Sequence, residues 1–94
     1  MQFEWDEKKS MKNARERNLP FDAAKQMDFH TALFEEDTRQ DYGEKRCVVY
    51  GLIDNRLHIL CFTPIHNGLR VISLRKANPR EVRYYEQETQ ALDE

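Results

Sequence analysis

This chain is poor in the residues that cross-link or punctuate a fold: 94 residues hold two cysteines, three glycines, three prolines and one tryptophan. Cys47 and Cys61 lie inside two apolar runs that read as neighbouring strands. Buried, reduced thiols are expected there ahead of a disulfide. Two thiols fall short of a four-ligand zinc site; His58 adds only one weak pairing to Cys61, and the three histidines share no ligand-like spacing. Neither a metal nor another cofactor is expected. No apolar run approaches the roughly 20 residues that cross a bilayer, and the opening MQFEWDEKK lacks a secretion signal's apolar stretch. The expected setting is therefore the cytoplasm, with no membrane partner. Repeats, low-complexity stretches and linkers are also missing. With too little material for two cores, residues 1–94 are expected to form a single domain.

What the chain has in abundance is charge, 34% of its residues, against 39% hydrophobic ones. The net charge of −2 argues against a protein that coats nucleic acid. Its distribution says more. Residues 28–44 carry Asp28, Glu35, Glu36, Asp37, Asp41 and Glu44 against Arg39 alone. Residues 70–83 carry Arg70, Arg75, Lys76, Arg80 and Arg83 against Glu81 alone, and the tail adds Glu86, Glu88, Asp93 and Glu94. A basic strip inside an acidic molecule suits one or two phosphates rather than a long duplex.

Phe3 and Trp5 alternate with polar neighbours, as in a short opening strand. Asp6 is a good N-cap for a helix to Arg17, and Asn18 is a good left-handed stop. Pro20 opens a second short helix through Phe21, Ala23, Ala24 and Met27. Thr31–Glu36 reads as a strand. Arg46–Ile53, Leu57–Ile65 and Leu69–Lys76 are β-rich runs separated by the turn sequences Asp54-Asn55-Arg56 and His66-Asn67-Gly68. Gaps so short impose antiparallel hairpins. Asn78-Pro79 starts a last helix running to about Thr89. The predicted class is α+β: an antiparallel meander with two N-terminal helices and a C-terminal helix.

Read in order, the chain shows Phe3-x-Trp5-Asp6-x-x-Lys9 with Asn13, Phe21-Asp22-x-Ala24, and Glu36-Asp37-Thr38-Arg39. Tyr42-Gly43-Glu44-x-Arg46, Gly51-Leu52, Arg70-Val71-Ile72-Ser73-x-Arg75-x-Ala77, Arg80-Glu81 and Tyr84-Tyr85 follow. This ordered set, spanning residues 3 to 86, resembles the BrnT toxin family. The resemblance implies a RelE-like fold and RNA cleavage that arrests growth. It also implies neutralisation by a BrnA-type antitoxin, a ribbon-helix-helix DNA-binding protein, in a complex that holds the toxin as a dimer and reaches DNA only through the antitoxin. One departure stands out: where the family reads Lys-His-Gly after the first helix, this chain has Glu16, Arg17 and Asn18.

Metal-free RNA cleavage needs a base for the 2′-hydroxyl, cations for the phosphorane and an acid for the departing 5′-oxygen. No DxD-type metal cage is present, which favours that route over a two-metal one. Arg70 and Arg75 are the leading phosphate ligands, since a guanidinium grips phosphate in a bidentate way. They stand five positions apart, so a regular strand points them to opposite faces unless a bulge intervenes. Arg80, on the first turn of the last helix, adds charge or is an ordinary surface residue. Glu44 is the candidate base if burial raises its pKa; otherwise it is a turn residue. Lys9, Arg46 and Tyr84 are candidate RNA contacts, Tyr84 by stacking or by donating to the leaving oxygen. Arg39 reads as a structural partner of Asp37 or Asp41, and His58 as a satisfied strand histidine. A non-catalytic module that docks a partner through its acidic stretches is the rival reading. A direct DNA-binding regulator is disfavoured, because no recognition helix is visible.

Overall fold

The computed structural model describes residues 1–92; Asp93 and Glu94 of the acidic tail lie outside it. Strand β1 (Gln2–Glu4) leads into helix α1 (Glu7–Arg17) and a 3₁₀ helix (Phe21–Gln26). Strands β2 (Asp28–Glu36), β3 (Cys47–Ile53), β4 (Arg56–Ile65) and β5 (Gly68–Lys76) follow, then helix α2 (Pro79–Leu92). The caps are those the sequence announces. The Asp6 carboxylate accepts from the amides of Lys8 and Lys9 at 2.8 and 3.3 Å, and Asn18 ends α1 at φ 57°.

Two expectations need correction. The second N-terminal helix is 3₁₀ rather than α. Its apolar residues recur every third position, and that period needs three residues per turn to aim them at one surface. Phe21, Ala24 and Met27 are accordingly all buried. The sheet, in order β1-β5-β4-β3-β2, is mixed rather than wholly antiparallel: the meander β2 to β5 is antiparallel, but β1 runs parallel to β5. Three residues carry no periodicity that would show their direction. The parallel approach is tight at Gly68, where an added Cβ would fall 1.9 Å from the Gln2 carbonyl oxygen.

Cross-strand register divides the side chains between two faces. On one, Val49, Ile53, Leu60, Phe62, Val71 and Leu74 pack with Leu19 and the 3₁₀ helix, and Leu60, Leu74 and Val49 are fully buried. Burying each such side chain stabilises the fold by about 1.5–3 kcal/mol, so this face is the main core. On the other, Leu57, Ile59, Val48, Tyr50 and Leu52 pack with Val82 and Tyr85 of α2. That cover is partial, and it leaves a concavity between α2 and the β2–β3 loop. Cys47 belongs to the first face and Cys61 to the second; both are free thiols.

Beyond Arg70, β5 has no strand on its outer side. Helix α1 covers that edge through one side chain. The Asn13 amide donates to the carbonyls of Leu74 at 2.9 Å and Leu19 at 2.8 Å, while its oxygen accepts from Arg17. Asn13 is 6% exposed, so those carbonyls would otherwise be orphaned away from water.

Candidate active site

On the α2 face of the sheet a cavity of about 280 Å³ opens between β2, the β2–β3 loop, the middle strands and the start of α2. Its chemistry-bearing lining includes Glu35, Glu36, Asp37, Arg39, Tyr50, Cys61, Arg75 and Glu81. A strand irregularity determines which arginines reach this face. Cys61 pairs with Ser73 but Phe62 pairs with Val71, so Ile72 is an extra residue in β5. Arg70 therefore stands opposite Thr63 and Arg75 opposite Ile59. Thr63, Cys61 and Ile59 alternate along β4 and share a face. Both arginines thus point the same way despite their odd spacing. The four residue steps along β4 between their partners separate them by about 13 Å, too far for one phosphate.

Arg75 forms the floor of the cavity. Its guanidinium donates both Nη1 and Nη2 to the Glu81 carboxylate at 2.8 Å, a bidentate fork. This contact holds Glu81 below the usual carboxylate range and raises Arg75 further above its ordinary value. Glu81 is placed by a reciprocal cap. Its carboxylate accepts from the Asn78 amide at 2.9 Å, and the Asn78 side chain accepts from the Glu81 amide at 2.8 Å. The carboxylate lies where a phosphate would meet the same fork.

The opposite wall belongs to β2 and α2. Tyr84 donates to Glu35, which pushes the Tyr84 phenol up to about 12. The Tyr50 ring lies 5.4 Å from that of Tyr84, and burial followed by the charges of Glu35 and Glu81 raises its phenol too. Tyr85 donates to the Thr31 carbonyl at 2.7 Å, fixing α2 to β2. The rim is a braced loop. Asp37, its side chain 5% exposed, accepts from the Arg39 amide and guanidinium and from the Tyr42 hydroxyl, and Arg39 holds it well below the usual carboxylate range.

The remaining candidates are elsewhere. Glu44 accepts from the Thr63 hydroxyl at 2.9 Å and from Arg70 at 2.9 Å, and these contacts, Thr63 first, lower its pKa. The raised pKa expected for a base is not found; Glu44 is a clamp between the loop and β5. Arg46 lies over the Tyr42 ring at 4.1 Å, with Nε 3.5 Å from Glu44 and no hydrogen bond. Arg80 is exposed on the first turn of α2 and outside the cavity lining. Lys9 faces a depression between α1 and the edge of β5. His58 is buried with Nδ1 2.7 Å from the Arg56 carbonyl, the satisfied strand histidine expected.

Sequence reasoning missed Glu35, Tyr50 and Glu81. The Asn78-Pro79-Arg80-Glu81 spacing is a capping box and was available as a signal for Glu81. Glu35 and Tyr50 are joined only by the β2–β3 pairing, and no local motif announces them.

A family model described as ribonuclease toxin, BrnT, of type II toxin-antitoxin system matches residues 5–81. The match runs from Trp5 to the Glu81 that meets Arg75, and so takes in α1, the meander and the cavity floor. No curated protein and no solved structure gives a match. With most of its length matched, the chain belongs to the BrnT family of ribonuclease toxins of type II toxin–antitoxin systems.

Proposed function

We propose that the cavity around Arg75 cleaves RNA by attack of a 2′-hydroxyl on the adjacent phosphate, without a metal ion. The observation that carries this reading is the Arg75 fork. It is a rigidly mounted, bidentate cation on the floor of a cavity also lined by the carboxylates Glu35, Glu36 and Asp37 and the Tyr50 phenol, with Tyr84 donating to Glu35. The phosphate displaces Glu81 and takes both Nη donors, so the charge of the phosphorane develops against a fixed guanidinium. Glu35, oriented by the Tyr84 hydroxyl, accepts the 2′-proton. The open mouth supplies the proton for the departing 5′-oxygen from water. Arg70, about 13 Å along the strand, meets a neighbouring phosphate rather than the scissile one. Arg80 and Arg46 contribute at most to the surrounding field.

The proposed partner is a BrnA-type antitoxin, which brings any DNA contact with it. The acidic run of residues 28–44 supports a basic docking segment on that partner, since opposite charge speeds encounter. An association rate that does not fall with added salt would refute this docking mode.

Incubating the purified chain with a defined RNA in EDTA tests the chemistry. The expected products end in 2′,3′-cyclic phosphate. Arg75→Ala is expected to lower the rate about 10²–10³-fold, and Glu35→Gln about 10²–10⁴-fold. Cleavage by Arg75→Ala at the wild-type rate would move the site elsewhere. No cleavage by the wild type, with or without ribosomes, would leave a non-catalytic module.

A further inference from the structure

We propose that a basic groove next to the cavity, lined by Arg17, Arg56 and Lys76, seats backbone phosphates of the single-stranded RNA that flanks the cleaved position. The proposal rests on the ribonuclease reading above and names a second part of its substrate site. Three element ends meet in this groove: the last turn of α1, the first residue of β4 and the last residue of β5. The His58–Lys76 pairing puts Lys76 on the same face as His58, and Arg56 is two residues from His58 along β4. The hollow measures about 460 Å³, with Leu19, Ala23 and Ile53 as apolar lining and Asp54 as its one carboxylate.

Two observations point to a polyanion. First, these cations are uncompensated. Among the described residues, five of the fifteen Lys and Arg stand in ion pairs; Arg17, Arg56 and Lys76 are among the ten that stand in none, and these three line one hollow. Arg17 donates to the neutral Asn13 side chain and Arg56 to the Ala77 carbonyl at 3.5 Å, so their charge is directed but not neutralised. Second, the groove and the cavity are linked by shared lining residues. A further hollow of about 320 Å³ is lined by Arg17, Leu19, Lys76 and Arg75, and Arg75 is the residue that also floors the cavity. A chain held at Arg75 and leaving over the end of β5 meets Lys76, then Arg17 and Arg56. Such a path turns sharply from one sheet face to the other. A single strand follows it, whereas a stiff duplex, with a persistence length of about 150 base pairs, does not. The hollow on the other side of Arg17 is less suited, because Glu16 lies 4.0 Å from Lys12 there.

The test uses the free full-length chain and two uncleavable 2′-O-methyl RNAs, a 3-mer and a 12-mer, with binding read by fluorescence anisotropy across salt. Three variants are compared: Arg17→Gln/Arg56→Gln/Lys76→Gln, the charge-preserving Arg17→Lys/Arg56→Lys/Lys76→Arg, and Arg75→Ala. Each phosphate contact on a single strand contributes about 0.7 to the slope of log affinity against log salt. Three contacts therefore predict that, between 50 and 200 mM salt, wild-type affinity for the 12-mer falls about 20-fold more than that of the glutamine triple. The charge-preserving triple should behave as wild type, and the 3-mer should not distinguish the triples from it. Equal slopes for wild type and the glutamine triple would overturn the proposal. So would a glutamine triple that binds RNA normally but loses affinity for the antitoxin, since the groove would then belong to a protein partner. The ribonuclease reading fails separately. Groove-dependent binding of the 12-mer, with no cleavage of the matching 2′-hydroxyl RNA, counts against catalysis alone.

Discussion

Glu81 performs two tasks that substitution can separate. Its carboxylate closes the cap of α2 and fills the Arg75 fork. Glutamine keeps a capping acceptor at that position while removing the charge; alanine removes both. Side chains of Arg75 and Glu81 are 40% and 19% exposed, so solvent screens the pair and its loss costs under about 1 kcal/mol. Losing the cap costs roughly 1 kcal/mol more. Glu81→Ala should therefore be destabilised by about 1.5 kcal/mol, which at about 4–8 °C per kcal/mol for a domain of this size lowers Tm by about 6–12 °C. Glu81→Gln should lose less than half of that. The pH dependence has a defined sign. Glu81 is held below its ordinary 4.5 in the folded chain, so the ion pair stabilises above that value. The stabilisation disappears as pH falls through the lowered folded value, and the gap between wild type and Glu81→Gln should close there. Both variants free the fork, so inorganic phosphate should bind more tightly to each than to wild type. Calorimetric melts at pH 3 and 7, with and without phosphate, read all of this. A Tm gap between wild type and Glu81→Gln that is the same at both pH values, or phosphate affinity unchanged in both variants, would refute the assignment of Glu81 as occupant of the phosphate position.

Two predictions concern the frame that holds the site. Asn13→Ala orphans the carbonyls of Leu19 and Leu74 and should cost about 2–4 kcal/mol, seen as a lower urea midpoint with unchanged slope. A loss below about 0.5 kcal/mol would mean that water replaces the amide. Gly68→Ala drives a Cβ into the Gln2 backbone and should release β1, raising amide exchange at Gln2–Glu4 while the β3–β4 pairing stays protected. Unchanged protection of β1 would contradict the tight approach.

The parts of the fold legible in the sequence are those written within a few neighbouring residues. Asp6 and Asn18 bound α1, Asp54 and Asn55 adopt the positive φ of a tight hairpin, and the three apolar runs become β3, β4 and β5. The direction of β1 was not legible, because it depends on which distant edge is free. The site divides along the same line. Arg75 stands out by residue type and position. Glu35 and Tyr50 become neighbours of Arg75 only when β2 to β5 lie side by side, and nothing near them in sequence marks that juxtaposition. The lowered pKa of Glu44 is hidden for a related reason: the Thr63 and Arg70 contacts that cause it lie 19 and 26 residues away.

The extra residue at Ile72 makes β5 a strand whose two halves are out of phase. The pattern Arg70-x-x-x-x-Arg75 is meaningful only with that phase shift in place. Deleting Ile72 would remove the shift and leave the arginines four positions apart on a regular strand, still on one face; straightening the strand at its present length would instead turn one guanidinium through the sheet into the apolar core. Within this strand, the odd spacing and the irregularity are therefore coupled, each compensating the other. The chain can lose the bulge and its residue together, but it cannot lose the bulge alone.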